Sequence, residues 1–126
     1  MSQLTPYLAV RDARAAIAWY VEHFGAEVTY EPIVMPDGRV GHCELAVGAA
    51  GWMLSDEHPE IQVEAPDPER GAAVSLHLTV EAVDERVRRS VAGGATLDRG
   101  PEDIEIGRLA VLRDPFGHRW FLHQPR

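Results

Sequence analysis

Gly51-Trp52-Met53-Leu54 recurs as Arg119-Trp120-Phe121-Leu122, 68 positions later, and this correspondence decides the fold. Working outward from it, Val10, Ile17 and Val21 recur as Val80, Val87 and Val91 at a spacing of 70, and Gly25-Ala26 recurs as Gly94-Ala95 at 69. A period of that length is too long for a solenoid repeat and too short for two self-sufficient domains. The repeated unit is therefore a half-domain that needs its copy to close a core. Residues 1–126 are expected to form a single domain, with module one over 4–58, a linker over 59–73 and module two over 74–125.

Each copy carries the same order of elements. In the first, Leu4 to Val10 reads as a strand whose Pro6 suits a strand start or an edge. Asp12 sits where a helix N-cap belongs, and Ala13, Ala16, Ile17, Tyr20, Val21 and Phe24 recur at helical spacing until Gly25 stops them. Strand-like runs follow at Glu27 to Met35, Val40 to Val47 and Trp52 to Ser55, with Pro36-Asp37-Gly38 as the hairpin turn. In the second copy, Val74 to Val80 is a strand and Val83 to Ala92 a helix ended by Gly93-Gly94. Thr96 to Arg99, Gly107 to Arg113 and Arg119 to Gln124 are strands, the last entered through the tight turn Asp114-Pro115-Phe116-Gly117. Between the copies, Asp56 to Ala73 holds Pro59, Pro66, Pro68 and many acids, the composition of an exposed connection. Two β-α-β-β-β modules make an α+β protein with two antiparallel-rich sheets.

Composition narrows the function classes. Twenty acidic against 12 basic residues give a net charge of −8, a field that repels phosphate backbones and anionic lipid, so neither nucleic acid nor a membrane is an expected partner. A neutral or cationic small molecule fits that charge, and so does a surface kept acidic for solubility alone. No apolar run reaches membrane-spanning length, and Met1-Ser2-Gln3-Leu4 lacks a basic start and apolar stretch, so a cytoplasmic location is expected. Cys43 is the single cysteine; no internal disulfide or thiolate zinc cluster can form, and His42 points to the opposite face of its strand. Cys43 reads as a buried small apolar residue.

A duplicated module of this order, leading through Asp114-Pro115-Phe116-Gly117-His118-Arg119-Trp120 into the last strand, resembles the vicinal oxygen chelate superfamily, which includes glyoxalase I, extradiol dioxygenases, fosfomycin resistance enzymes and bleomycin resistance proteins. The resemblance covers essentially the whole chain. Asp37-Gly38-Arg39, Gly41-His42-Cys43-Glu44-Leu45, Met53-Leu54-Ser55-Asp56-Glu57 and Ser75-Leu76-His77-Leu78 look most like its glyoxalase-like branch associated with phosphonate operons. The resemblance implies that each module curls and that two mixed sheets enclose a cavity. It also implies a divalent metal held by side chains of the first and last strands of each module, binding two substrate oxygens.

Those four positions fall on Thr5, Met53, Ser75 and Phe121. A hydroxyl or thioether binds a hard or borderline cation too weakly, and a phenyl ring does not bind it, so no metal and no cofactor are expected there. A shift of two residues along each strand keeps the same face and reaches Tyr7, Ser55, His77 and His123, with His42 and Glu44 available from a third strand. A displaced divalent metal site built from His77, His123 and Glu44 is the alternative. Each of these residues has a plainer reading: His77 as a hydrogen-bonding group of the cavity wall, and His123 near a terminus that frays. Glu44 is either a general base in a desolvated cavity or the partner of an arginine such as Arg108 or Arg119. His23, His58 and His118 read as solvated.

The aromatic residues favour binding. Phe121 and Met53 look towards the place of the metal, while Trp52 and Trp120, one residue away, pack against helices or a partner. The expectation is a protein that binds a small organic ligand in an apolar cavity without the family's metal site. Ligand-contacting residues would be Thr5, Tyr7, Met53, Ser55, Ser75, His77, Phe121 and His123, with Glu44 and His77 as candidate acid–base residues. The alternative is a metal-dependent lyase, isomerase or dioxygenase using the displaced site. Exposed sheet edges and the resemblance both imply a homodimer.

Overall fold

The computed structural model describes residues 1–126. They form two compact units, Met1–Ala65 and Pro66–Arg126, each a four-stranded mixed sheet with one helix on one face.

In the first unit the order is β1 (Tyr7–Val10), α1 (Ala13–Trp19), β2 (Glu27–Val34), β3 (Val40–Val47) and β4 (Ala50–Asp56), arranged β1-β4-β3-β2. β1 lies parallel to β4, and the other pairs are antiparallel. The second unit repeats this with β5 (Ser75–Thr79), α2 (Val83–Ala92), β6 (Thr96–Ile104), β7 (Gly107–Arg113) and β8 (Arg119–Pro125), in the order β5-β8-β7-β6. Neither sheet closes on itself; each keeps two edge strands. The α+β class and the duplicated β-α-β-β-β order are as the repeat implies.

The helix starts show why the two copies fold alike. Asp12 has extended backbone angles, and its carboxylate accepts from Ala15 N at 3.0 Å, satisfying one of the amides a helix start leaves unpaired. A second carboxylate, Asp56 at the end of β4, accepts from Ala13 N and from Val40 N, both at 2.7 Å, and so ties the start of α1 to β3. In the second unit Gln124, 68 residues after Asp56, accepts from Val83 N at 3.0 Å, the first residue of α2 and 70 residues after Ala13. The repeat thus conserves a role across a change of residue type.

Strand boundaries differ from the sequence reading where ladder hydrogen bonding overrides composition. β1 begins at Tyr7, not Leu4, because Pro6 has no N–H to give, although its carbonyl still accepts from Met53 N at 2.8 Å. β6 runs on to Ile104 through Gly100-Pro101, which an edge strand tolerates at the register shifts around Arg99. α1 passes into a π-helical turn over Tyr20–Phe24 that ends at Gly25, with φ 69°. Trp19 is buried at the end of α1 and Val21 is exposed, although helical spacing placed Val21 inside. The connection after β4 is not featureless: Pro59–Ile61 form a 3₁₀ turn, and His58 bridges to Val63.

Alternation fixes which face is buried. Leu8, Val10, Cys43, Leu45, Trp52 and Leu54 point to the helix side of the first sheet and are buried. Trp52 meets the edge of Tyr20 at 5.4 Å between ring centroids. Leu78, Trp120 and Leu122 do the same in the second unit. The Trp120 indole donates to Asp114 Oδ2 at 2.9 Å, and Asp114 Oδ1 accepts from the amides of Phe116 and His118, closing the β7–β8 turn. Full burial of one such side chain is worth about 1.5–3 kcal/mol. No helix is long and apolar enough to cross a membrane.

Candidate functional site

The opposite face of each sheet carries the polar and titratable residues. In the first unit, register places Tyr30 (β2), Glu44 (β3), Met53 (β4) and Tyr7 (β1) in one row across all four strands. His42 sits two residues before Glu44 on the same face. Its Nδ1 lies 2.7 Å from the Tyr7 hydroxyl and its Nε2 lies 3.1 Å from Glu44 Oε2, while the Tyr7 hydroxyl also reaches the Gly41 carbonyl at 3.0 Å. The rings of Tyr7 and Tyr30 flank the imidazole at 5.3 and 5.8 Å. Glu44 therefore pairs with an imidazole and not with an arginine. Arg108 instead holds Asp84 and Asp103, and Arg119 donates to the Ser75 hydroxyl at 2.7 Å.

Two hollows border this row. One, of about 470 Å³, has Tyr7, Met35, Val40, Ser55, Ile61 and Val63 among its walls, with Arg39 and His58 also at its surface. Arg39 is held in place by Asp37, Glu60 and His58. The other, of about 490 Å³, is lined in part by Thr5, Thr29, Glu44 and Met53. Burial pushes the Tyr7 phenol above its ordinary range, and the neighbouring Cys43 and Glu44 push in the same direction. Burial, then the charges of Asp56 and Glu44, push the Cys43 thiol up to about 11, so it carries no thiolate at neutral pH and is no nucleophile.

In the second unit the equivalent row is His77 (β5), Phe121 (β8), Val111 (β7) and Arg99 (β6). His77 stacks on Phe121 at 6.3 Å and meets His123 edge-on at 5.2 Å; the Arg119 guanidinium lies 4.9 Å from the centre of the Phe121 ring. His123 does not fray: it is buried within β8, with Nε2 at 3.2 Å from the Ile106 carbonyl. His23 and His58 are partly exposed and each has a protein partner. The first packs on Trp19, and the second bonds to Arg39 and Glu60.

The sequence-derived residues thus divide between the units. Thr5, Tyr7, Glu44, Met53 and Ser55 belong to the first, and Ser75, His77, Phe121 and His123 to the second. Thr5, Met53, Ser75 and Phe121 offer two hydroxyls, a thioether and a phenyl ring, which do not fit a divalent cation. Neither unit gathers three or more His, Cys, Asp or Glu side chains in a group that could hold a metal ion. Sequence reasoning did not assign Tyr30, Met35, Arg39, Ile61 or Val63 to the site. The alternation of β3 was the one available signal, since it put His42 and Glu44 on the same face.

Residues 2–122 match the family described as the Glyoxalase/Bleomycin resistance protein/Dioxygenase superfamily. The chain is 39% identical over 126 residues to a Mycobacterium bovis protein described as uncharacterized, covering 97% of this chain and 82% of that one. Among solved structures it is similar to protein PA1353 from Pseudomonas aeruginosa, with TM-score 0.73 and 23% identity over 99% of this chain and 98% of that one. It is also similar to the fosfomycin resistance protein FosX from Listeria monocytogenes, with TM-score 0.74 and 16% identity over 99% and 92%. At these identities the two structures speak to the fold alone.

Proposed function

The chain belongs to the glyoxalase/bleomycin resistance protein/dioxygenase superfamily, and on that premise we propose that it binds a small, neutral or cationic organic ligand without a metal at that family's usual positions. The observation that carries this reading is the hollow of about 470 Å³ beside Tyr7, whose walls include Met35, Val40, Ile61 and Val63 with a few fixed polar groups such as Ser55 and Arg39. Apolar walls with few convergent polar groups suit a small organic molecule, and the size lies within the usual range for such sites. The poor donors at Thr5, Met53, Ser75 and Phe121 support the metal-free part, and the net charge of −8 supports the ligand's charge.

A second reading, a metal-dependent lyase, isomerase or dioxygenase, rests on the neighbouring rings of His77 and His123. It is the weaker of the two, because Glu44, its third ligand, is already hydrogen-bonded to His42. The half-exposed Ile33 and Val34 on the edge strand β2 support a homodimer, an apolar edge being of the kind a second copy covers.

Ligand-observed NMR with a panel of neutral and monocationic aromatic fragments tests the proposal. Fragments are expected to bind the wild-type protein and to lose binding in Val63→Trp, which fills the hollow from a half-buried wall. Equal binding by a folded Val63→Trp protein, or no binding by any fragment, would remove the hollow from consideration.

A further inference from the structure

Tyr7, His42 and Glu44 form a hydrogen-bonded file whose ends open on different hollows: Tyr7 is a wall of the apolar one and Glu44 a wall of the polar one. The contacts along the file, 2.7 Å and 3.1 Å, place a hydroxyl, an imidazole and a carboxylate in the order of an acid–base triad: a reacting oxygen, a base, and a group that orients the base. We propose that Tyr7 is the proton-accepting catalytic residue of the apolar hollow. Its own proton passes to His42 Nδ1 as its oxygen takes one from an acidic C–H of a bound neutral ligand, and Glu44 holds the imidazolium that results. This inference rests on the ligand-binding reading above and adds chemistry to it.

Three features make the file work as a relay. With Glu44 accepting from Nε2–H, the neutral imidazole turns its Nδ1 lone pair to the Tyr7 hydroxyl, so the carboxylate selects the tautomer that can receive a proton. The Gly41 carbonyl, 3.0 Å from the same hydroxyl, supplies the second arrangement. Once Nδ1 carries a proton it donates to the Tyr7 oxygen, and the phenolic proton turns to Gly41. Every group keeps a partner in both charge states, so the transfer gives up no hydrogen bond. Tyr30, edge-on to the imidazole at 5.8 Å and 76°, and Tyr7 on its other contact hold the ring's plane. Because its surroundings keep Tyr7 a phenol, it acts as a base only with its own proton leaving to His42 in the same step.

The step balances within the site. The substrate X–H bond breaks and an O–H bond forms at Tyr7; the former Tyr7 O–H bond breaks and an N–H bond forms at His42. The substrate anion and the imidazolium are the two new charges. Returning the proton to a different substrate atom completes an isomerisation with no oxidant, reductant or co-reactant. The substrate class is a small, mostly apolar molecule with one acidic proton. Tyr7 touches it; His42 and Glu44 are positioning and relay residues.

The base-promoted ring opening of 5-nitrobenzisoxazole is a suitable probe. This flat, neutral bicycle loses its C3 proton to a base while its N–O bond breaks, giving a coloured nitrile phenolate with no other reagent. The wild-type protein is expected to accelerate the reaction above buffer with a primary isotope effect at C3. Tyr7→Phe should lose at least about tenfold of that acceleration, against the 10²–10⁴-fold typical of positioned acid–base groups. It should retain probe binding by ligand-observed NMR. Glu44→Gln should lower kcat more than it changes KM and should move the midpoint of the pH–rate profile, a shift that a purely structural role would not produce. Probe binding without acceleration, or a Tyr7→Phe variant as fast as wild type, overturns the relay and leaves the ligand reading standing. Absence of binding by the probe and by every fragment overturns both.

Discussion

Asp114 is a buried carboxylate that accepts from both backbone and side chain, and its replacement gives a stability change with separable parts. It is 4% exposed and accepts hydrogen bonds from the amides of Phe116 and His118 and from the Trp120 indole. In Asp114→Ala the two turn amides, on half-buried residues, recover much of their loss from water, about 0.5 kcal/mol each remaining. The indole, on a residue 2% exposed, has no such recourse and costs about 2 kcal/mol as an unsatisfied buried donor. The sum is about 3 kcal/mol, or a fall in Tm of roughly 10 °C for a chain of this size. Asp114→Asn should cost about 2 kcal/mol, because its oxygen can keep the turn amides while its NH₂ then faces the indole N–H, donor against donor. Removing that donor with Trp120→Phe should recover about 1–2 kcal/mol of the asparagine penalty as a coupling energy. Guanidinium unfolding followed by far-UV circular dichroism reads all four members of the cycle. A coupling energy indistinguishable from zero would show that the indole bond does not organise this turn.

Gly25 stands at φ 69° at the end of the π-helical turn, so Gly25→Val should lower stability by about 1–2 kcal/mol; an unchanged melting temperature would contradict that placement. Asp98 and Asp84 have their carboxyls held below the ordinary 3.8 by hydrogen bonds from Arg113 and Arg108. Carboxyls depressed in the folded state bind fewer protons there than in the unfolded chain, so their stabilisation is present above that ordinary value and is lost as pH falls through their lower folded values. Urea unfolding between pH 5 and pH 2, read against Asp98→Asn, should show the variant losing less stability than wild type; equal losses would refute the assignment. Added salt should flatten the same slope, since both pairs are largely exposed.

The sequence made the repeat legible because its signals were local or periodic. The run Val83 to Ala92 is the observed α2, and Val40 to Val47 and Gly107 to Arg113 are the observed β3 and β7, since each alternates or recurs between clear turn residues. The π-helical turn was hidden because Ile17, Tyr20, Val21 and Phe24 satisfy ordinary helical spacing, which does not separate a regular turn from a wider one. The site was legible in part. The sequence reading grouped Thr5 with Met53 and Ser75 with Phe121, whereas the strand register sets Tyr7 beside Met53 and His77 beside Phe121, and the partner of Glu44 depended on side-chain reach within one strand. That partner is His42, while Arg108 and Arg119 are engaged by Asp84 and Ser75 within their own unit. The walls of the apolar hollow were the least legible. Met35, Ile61 and Val63 lie in a hairpin end and a proline-bearing connection, where composition says only that the chain is exposed.

The metal content of the protein tests the central claim most directly. Elemental analysis after purification without chelator, followed by calorimetric titration with nickel, zinc and manganese, should find well under one equivalent bound and no saturable heat, with fragment binding unaffected by chelator. One equivalent of a tightly held divalent ion, lost on replacing His77 or His123, would contradict a ligand-binding protein that works without metal.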